Sequence, residues 1–175
     1  MEVKFIADEM CGRLARWLRL LGFDTLYVTG KDNTTLIEVD DDYILSKAII
    51  EGRILITRDV RLYRRALSIG TDAILIRSND IEGKLREVLS KVSKNRHIIV
   101  KPRCPICNSS LRRMDKRELN ELSRYVPPNV LENFDEFLFC DRCKKVYWFG
   151  SHWKYIKEIV KKIGFSLSIK KREPQ

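Results

Sequence analysis

Two pairs of cysteines have the spacing of a metal site. Cys104 and Cys107 form one Cys-x-x-Cys turn, and Cys140 and Cys143 form a second one after a long insert. Each turn places two thiolates on one side of a tight loop, and two such turns supply the four sulfur ligands of tetrahedral zinc. A closed shell of four thiolates leaves no position for water. The spacing therefore predicts a structural zinc ion in a zinc ribbon. A redox role for the pairs is the alternative, which the matched pairs disfavour.

A second group of candidate ligands consists of aspartates at the ends of predicted strands and the starts of predicted helices. Asp8 follows the first strand, Asp59 follows the third, and Asp41 or Asp42 begins the helix between them. The carboxyl ends of parallel strands meet at one edge of a sheet, where ligands gather. Carboxylates crowded there repel one another unless a cation such as Mg²⁺ or Mn²⁺ joins them. Such a cation can promote hydrolysis of a phosphodiester.

Helix capping is the simpler interpretation of each aspartate taken alone, because an Asp between a strand and a helix is a common N-cap. The convergence of three aspartates on a basic chain shifts the balance toward a metal site. Asp80, after the fourth strand, can cap the next helix. Thr57 and Arg58 can position a phosphate, although Arg58 can equally pair with a neighbouring carboxylate.

The elements that carry these aspartates follow from alternating apolar runs and amphipathic segments. Strands are predicted at 3–7, 25–28, 54–57 and 73–76, and helices at 13–21, 43–51, 60–68 and 81–92. Residues 31–39 are polar and irregular and predict a loop. Strands that alternate with helices indicate right-handed βαβ units, so the predicted fold class is α/β with a mainly parallel sheet.

The pattern changes near residue 97 and predicts three parts. They are an α/β domain over residues 1–96, a cysteine-bearing ribbon over residues 97–153, and an amphipathic helix with a charged tail over residues 154–175. The tail from Ser166 onward is expected to be frayed. Tyr147, Trp148, Phe149 and Trp153 follow the last cysteines; packing against the neighbouring domain is favoured for them over stacking on bases.

The charge balance favours a polyanionic partner. The chain has 175 residues with 34 Lys and Arg against 24 Asp and Glu, which gives a net charge of +10. Nucleic acid is the commonest partner of such a chain. Arg13, Arg16 and Arg19 of the first helix are expected to face solvent or a ligand. Five basic residues of the insert can contact phosphates or form a solvated helix face: Arg112, Arg113, Lys116, Arg117 and Arg124.

The sequence offers no sign of a membrane partner. No apolar run approaches the roughly 18 residues that a membrane-spanning helix needs, and the N-terminus begins as a strand rather than as a signal peptide. We therefore expect a cytoplasmic protein. In that reducing compartment, cysteines favour metal over disulfides. Cys11, which stands alone, is interpreted as a buried core thiol.

Three blocks of the sequence resemble the Mut-seven C-terminal RNase family, which joins a PIN-like nuclease domain to a zinc ribbon. The blocks cover residues 5–8 with 12–25, residues 52–59 and residues 140–153. The resemblance implies a PIN-like three-layer fold and a metal-dependent ribonuclease. It also implies that Asp8 is the acidic residue after the first strand, and that Thr57 and Asp59 form the Thr-x-Asp block of PIN nucleases.

Asp41 matches a further PIN pattern, in which Asp is followed by Ile three residues later and Ala seven residues later. Here these are Ile44 and Ala48. A fourth acidic residue, usually a Glu on an intervening helix, has no clear counterpart. Three residues are candidates for its role: Glu9, Asp24 and Glu38.

The predicted function is that of an endoribonuclease in which three aspartates hold one or two Mg²⁺ or Mn²⁺ ions: Asp8, Asp41 and Asp59. Arg13, Arg16 and Arg58 are predicted to hold the RNA backbone. The alternative is a noncatalytic RNA-binding protein, and an association with the ribosome or with tRNA is left open. DNA binding through the ribbon is a third interpretation.

Overall fold

The computed structural model describes residues 3–29, 40–114, 118 and 126–169. The loop predicted at residues 31–39, which includes the candidate Glu38, lies outside the described residues. So do residues 170–175 of the predicted tail and three basic residues of the insert, Lys116, Arg117 and Arg124.

Four parallel strands form the central sheet. They are β1 (Lys4–Ala7), β2 (Asp24–Tyr27), β3 (Ile54–Thr57) and β4 (Ala73–Leu75), in the order β2-β1-β3-β4. The strands are short apolar, β-branched runs, as expected for a parallel sheet that is covered on both faces. The predicted α/β class with a mainly parallel sheet is confirmed.

Helices cover both faces of this sheet. After a 3₁₀ turn at Glu9–Cys11, the helices are α1 (Gly12–Leu20), α2 (Asp41–Glu51), α3 (Val60–Ser68) and α4 (Ile81–Val92). One hydrophobic core joins α1 and α4 to the sheet, and another joins α2 and α3. Phe5 and Ala7 of β1 enter the first core and Ile6 enters the second, because successive side chains of a strand point to opposite faces. The result is three layers.

The strand order puts a change of crossover direction at the carboxyl ends of β1 and β3. From β1 the chain crosses outward to β2, then returns to place β3 on the other side of β1. The crossover direction therefore changes between β1 and β3, and ligands of open α/β sheets bind at such a switch point. Asp8 follows β1 directly, and Arg58 and Asp59 follow β3.

The C-terminal part contains two smaller sheets. Strands β5 (His97–Val100) and β9 (Ser166–Ile169) pair in parallel, while β6 (Arg112–Met114), β7 (Phe137–Cys140) and β8 (Lys145–Trp148) form an antiparallel sheet. Helices α5 (Pro128–Asn133) and α6 (Ser151–Lys162) flank β7 and β8 in sequence. The prediction of a frayed tail is wrong for residues 166–169, because β9 finds a partner in β5.

Helix α6 belongs to the same core as α1 and α4. Trp153, Ile156 and Val160 are buried there together with Leu14 and Leu18 of α1. The predicted boundaries at residues 97 and 154 stay predictions, but hydrophobic packing crosses both of them. None of the described helices has the length and apolar character needed to cross a membrane, and the cytoplasmic location stays a prediction.

Candidate metal sites

The four paired cysteines converge on one point. Their sulfur atoms all lie within 4.8 Å of one another, and among the described residues no other set of three or more Cys, His, Asp or Glu does so. Cys104 Sγ lies 3.9 Å from Cys143 Sγ, and Cys107 Sγ lies 3.5 Å from Cys140 Sγ. Zinc–sulfur bonds of about 2.3 Å in a tetrahedron separate the sulfurs by about 3.8 Å. The cysteines can therefore hold a zinc ion.

The two cysteine turns are built alike. Asn108 N donates to Cys104 O at 2.9 Å, and Lys144 N donates to Cys140 O at 2.8 Å. Both Asn108 and Lys144 directly follow the second cysteine of a pair and have positive φ angles, 65° and 53°. Each turn therefore closes through a left-handed residue, a conformation that Asn tolerates better than most residues.

Two hydroxyl groups lie beside the sulfur atoms. Tyr147 Oη is 3.3 Å from Cys104 Sγ, and Ser109 Oγ is 3.3 Å from Cys107 Sγ. A hydroxyl that donates to a ligating thiolate orients it and offsets its charge. From the sequence, only packing or stacking is predicted for Tyr147. Its place beside Cys104 depends on how β7 and β8 pair, which no local pattern reveals.

Arg19 joins the first cysteine turn to the sheet. Its side chain is only 5% exposed. Nε donates to Thr25 O at 2.9 Å, while Nη1 donates to Pro105 O at 3.0 Å and to Ile106 O at 2.9 Å. Burial lowers the pKa of Arg19. The prediction that Arg19 faces solvent or a ligand is wrong, because residues 105 and 106 cover the end of α1.

Asn108 makes a second connection at the same place. Its Oδ1 accepts from Thr25 N at 3.1 Å, and its Nδ2 donates to Asp24 Oδ1 at 2.7 Å. Burial raises the pKa of Asp24, but hydrogen bonds from Arg53 and Asn108 outweigh it and hold the pKa below its usual value. Asp24 begins β2, at the amino end of the sheet and opposite Lys4 of β1. It is therefore at the wrong end of the sheet to join Asp8.

The aspartates at the carboxyl end of the sheet share a cavity of about 190 Å³. Its acidic lining residues are Asp8, Glu9, Asp40, Asp41 and Asp59. The other described lining residues are apolar: Met10, Val28, Ile44 and Leu62. Among the described residues, no Lys or Arg lines this cavity, although the chain carries a net charge of +10. We call it the acidic cavity.

Asp8 is the most buried of these carboxylates, at 5% exposed. Its Oδ2 accepts from the Thr57 hydroxyl and from Arg58 N, the latter at 3.3 Å. The Thr57 Oγ1 in turn accepts from Asp59 N at 2.9 Å, which orients the hydroxyl toward Asp8. Asp8 Oδ1 is buried and has no hydrogen-bond partner among the described residues. A buried carboxylate oxygen without a partner is costly, and a bound cation would satisfy it.

Two aspartates, Asp40 and Asp59, each cap a helix and also line the acidic cavity. Asp59 Oδ1 accepts from Arg61 N at 2.6 Å and Leu62 N at 3.1 Å and so caps α3. Asp40 caps α2 by accepting from Tyr43 N at 2.8 Å. The helix-capping interpretation therefore holds for Asp59, whose side chain nevertheless lines the acidic cavity.

The structure distinguishes Asp41 from Asp42. Asp41 lines the acidic cavity, whereas Asp42 forms an ion pair with Arg65 of α3. Asp8, Asp41 and Asp59 thus share one cavity, but they do not form a group as close as the four cysteines. Of the candidates for a fourth acidic residue, Glu9 lines the cavity and Asp24 does not.

The predicted RNA-binding arginines fall into two classes. Arg13 and Arg16 are exposed on α1, and no carboxylate among the described residues forms an ion pair with either. Arg58 is engaged, because Nη1 donates to Ser78 O at 2.6 Å and Nη2 donates to Asn79 Oδ1 at 2.9 Å. Its guanidinium group ties the end of β3 to the chain after β4.

The two described arginines of the insert, Arg112 and Arg113, pair with carboxylates. Arg112 lies 2.8 Å from Glu118 and 3.2 Å from Asp141, and Arg113 lies 3.0 Å from Glu136.

Cys11 is buried, as the sequence indicates, and burial with the nearby Asp8 charge raises the pKa of its thiol. A thiol with a raised pKa stays protonated and is a poor nucleophile.

The parallel sheet with carboxylates at its switch point and the cysteine turns beside it define an α/β protein with two separate candidate metal sites. The family model described as Mut7-C RNAse domain matches residues 3–160. The chain therefore belongs to this family, as the three sequence blocks predicted. Comparisons with curated proteins and with solved structures found no match.

Proposed function

We propose that the chain is a Mg²⁺- or Mn²⁺-dependent endoribonuclease, with a PIN-like domain that cleaves RNA at the acidic cavity and a structural zinc ribbon. One observation carries the proposal: Asp8 Oδ1 is buried without a partner at a cavity lined by five carboxylates and by no described cationic side chain. Membership of an RNase domain family supports RNA as the substrate. An association with the ribosome or with tRNA stays a prediction.

Asp8, Asp41 and Asp59 would hold the cation. Mg²⁺ commonly keeps several waters and binds proteins through one or two carboxylates, so it does not need ligands as close as the four sulfurs. When bound, a divalent cation supplies an activated water and neutralises charge on the phosphate that is attacked. Thr57 has a positioning role, because its hydroxyl holds Oδ2 of Asp8, whose other oxygen has no hydrogen-bond partner among the described residues.

Exposed arginines near the cavity would bind the RNA backbone. Arg13 lies in the first turn of α1, just after the turn that carries Glu9 into the cavity wall. Arg61 lies in the first turn of α3, and its backbone N–H already contacts Asp59. Arg58 is assigned a structural role instead, since Ser78 and Asn79 occupy its guanidinium group.

The test is cleavage of an end-labelled single-stranded RNA in Mn²⁺. We expect Asp8→Asn, Asp41→Asn and Asp59→Asn each to lower kcat/KM by on the order of 100-fold, because each removes charge that stabilises the cation and the reacting phosphate. Asparagine is also a good N-cap, so Asp59→Asn keeps the cap of α3 while it removes the charge. Loss of activity would therefore not be a consequence of helix fraying.

Asp80→Asn is the matched control. Asp80 caps α4 by accepting from Gly83 N at 2.8 Å, as Asp59 caps α3, but it does not line the acidic cavity. Its cleavage rate should match that of the unaltered chain. Cleavage that survives Asp8→Asn would overturn the proposal. RNA binding without cleavage in Mg²⁺ or Mn²⁺ would support the noncatalytic alternative.

A further inference from the structure

An aromatic cavity of about 270 Å³ lies where the ribbon meets α1 and α6. Its walls include Tyr147 and Trp148 of β8, His152 and Trp153 of α6, and Leu20 of α1. The chain has three tryptophans, and all three are at this place: Trp148 and Trp153 line the cavity, and the ring of Trp17 lies 6.2 Å from that of His152. The cavity touches the cysteine site through Tyr147, whose hydroxyl lies beside Cys104, but none of the candidate metal ligands lines it.

Helix α1 connects the aromatic cavity to the acidic cavity. It begins at Gly12, two residues after Met10 of the acidic cavity, and it ends at Leu20, which lines the aromatic one. Arg13, Arg16 and Leu20 are three and seven residues apart and so share one face of the helix. Both arginines are exposed. The nine residues of α1 span about 13 Å at about 1.5 Å per residue.

The charge on this face suits a phosphate backbone. Arg13 and Arg16 lack carboxylate partners among the described residues, in contrast to Arg112 and Arg113 of the ribbon. The length of α1 corresponds to about four phosphates at the ~3.4 Å axial spacing of a stacked strand. A strand with a phosphate in the acidic cavity can therefore follow α1 and bring one of its bases to the aromatic cavity.

The aromatic cavity has the chemistry of a site for a base. Aromatic side chains bind unpaired bases by stacking, and every base offers such a face. Helix α6 begins at the cavity wall without a side-chain cap. Trp153 N and Lys154 N donate to Gly150 O, so the N–H groups that precede them in the helix are the ones that can meet the polar edge of a base. The volume is below that of typical drug-sized pockets and suits a single ring system.

We propose that the aromatic cavity binds an unpaired base of the RNA strand, and that Arg13 and Arg16 bind the phosphates between this base and the acidic cavity. The proposal rests on the proposed function, because the strand it follows is the one that the acidic cavity would cleave. It assigns the exposed face of α1 and the junction with the ribbon to substrate binding.

The test measures binding of single-stranded hexaadenylate to the full zinc-loaded chain that carries Asp8→Asn, without Mg²⁺ or Mn²⁺. Because all three tryptophans lie at the aromatic cavity, their fluorescence reports its occupancy, and anisotropy of labelled RNA gives the Kd. We expect fluorescence quenching by hexaadenylate. An abasic hexamer with the same sugar-phosphate backbone should bind about 5-fold or more weakly, since stacking of one base is lost.

Two variants separate the phosphate path from the base site. The double variant Arg13→Gln, Arg16→Gln should raise the Kd about 10-fold. The slope of log K against log salt concentration should become shallower by about 0.7 for each phosphate contact that is lost. Its control is Lys157→Gln with Lys161→Gln, which removes the same charge from exposed positions of α6 that do not line the cavity. His152→Ala alters an exposed side chain and should reduce the preference for hexaadenylate over the abasic strand.

The inference fails if the abasic strand binds as tightly as hexaadenylate, or if the arginine variant binds no more weakly than the lysine control. Its failure is distinct from that of the proposed function. If the chain binds hexaadenylate with fluorescence quenching but never cleaves RNA, the base site stands and the nuclease proposal is wrong. If the chain cleaves RNA but binds the abasic strand as tightly as hexaadenylate, the nuclease proposal stands and the base site is wrong.

Discussion

The cysteine site and the acidic cavity differ in how closely the protein brings its ligands together. Four sulfur atoms lie within 4.8 Å of one another, whereas the carboxylates share a cavity of about 190 Å³ without forming so close a group. Thiolates bind zinc in a closed shell, while Mg²⁺ keeps waters and takes substrate oxygens as ligands. A preformed shell of four sulfurs suits a permanently bound metal. An open carboxylate cavity suits a metal whose coordination shell is completed by substrate.

The two sites also differ in what surrounds them. The first cysteine turn is bonded to the sheet through Arg19 and Asn108, so its position depends on residues distant in sequence. The acidic cavity is built from strand ends and helix starts, where Asp40 and Asp59 are already fixed as caps. Metal should therefore matter for the fold at the first site and for chemistry at the second.

Loss of zinc should have the largest effect. Apparent binding free energies of structural zinc are about 10 kcal/mol or more and are contributed to folding. We expect Cys140→Ser to abolish stoichiometric zinc binding and to unfold the ribbon, measured by metal analysis and near-ultraviolet circular dichroism. Cys11→Ala, which alters the cysteine outside the site, should retain one zinc per chain. Full zinc content and an unchanged melting temperature in Cys140→Ser would contradict the assignment.

Removal of the Arg19 side chain should have the next largest effect. Arg19→Met leaves the carbonyl groups of Thr25, Pro105 and Ile106 without their donor, which should lower the free energy of unfolding by about 3 kcal/mol. Arg16→Met, on the exposed face of the same helix, should change it by about 0.5 kcal/mol or less. Urea denaturation of the zinc-loaded chain measures both. If both variants lower the free energy of unfolding equally, the hydrogen bonds from Arg19 to the cysteine turn do not stabilise the fold.

Manganese should stabilise the fold only slightly. At ten times its Kd, a ligand bound only by the folded state adds about 1.4 kcal/mol to the free energy of unfolding. We expect Mn²⁺ to raise the melting temperature of the unaltered chain and of Asp80→Asn, but not that of Asp8→Asn. If Asp8→Asn responds as strongly as Asp80→Asn, the ion is bound somewhere other than the acidic cavity.

Local patterns made both candidate sites visible in the sequence. The cysteine pairs were predictable because each turn places its two ligands within four residues. Asp8 and Asp59 were predictable as neighbours because the alternation of strands and helices requires a parallel sheet, which aligns the carboxyl ends of β1 and β3. Strand and helix patterns alone left Asp41 and Asp42 open; the family resemblance favoured Asp41, and in the structure Asp42 pairs with Arg65 of α3 instead.

Features that depend on distant partners escaped the sequence analysis. Arg19 follows Arg13 and Arg16 at intervals of three, which looks like an exposed basic face, and two of its three carbonyl partners lie 86 and 87 residues further along the chain. Strand β9 has a short alternating pattern inside a charged segment and exists through its pairing with β5. Tyr147 reaches Cys104 only through the register of the ribbon sheet.

The contact between the first cysteine turn and β2 has a consequence for the chain in a crowded cell. Strand β2 is outermost in its sheet, and a bare outer strand is a template on which other chains add strands. Here the N–H of Thr25 is taken by Asn108 and its carbonyl by Arg19, with the cysteine turn lying over both. If zinc holds this turn in place, loss of the metal is expected to uncover the strand and to promote self-association.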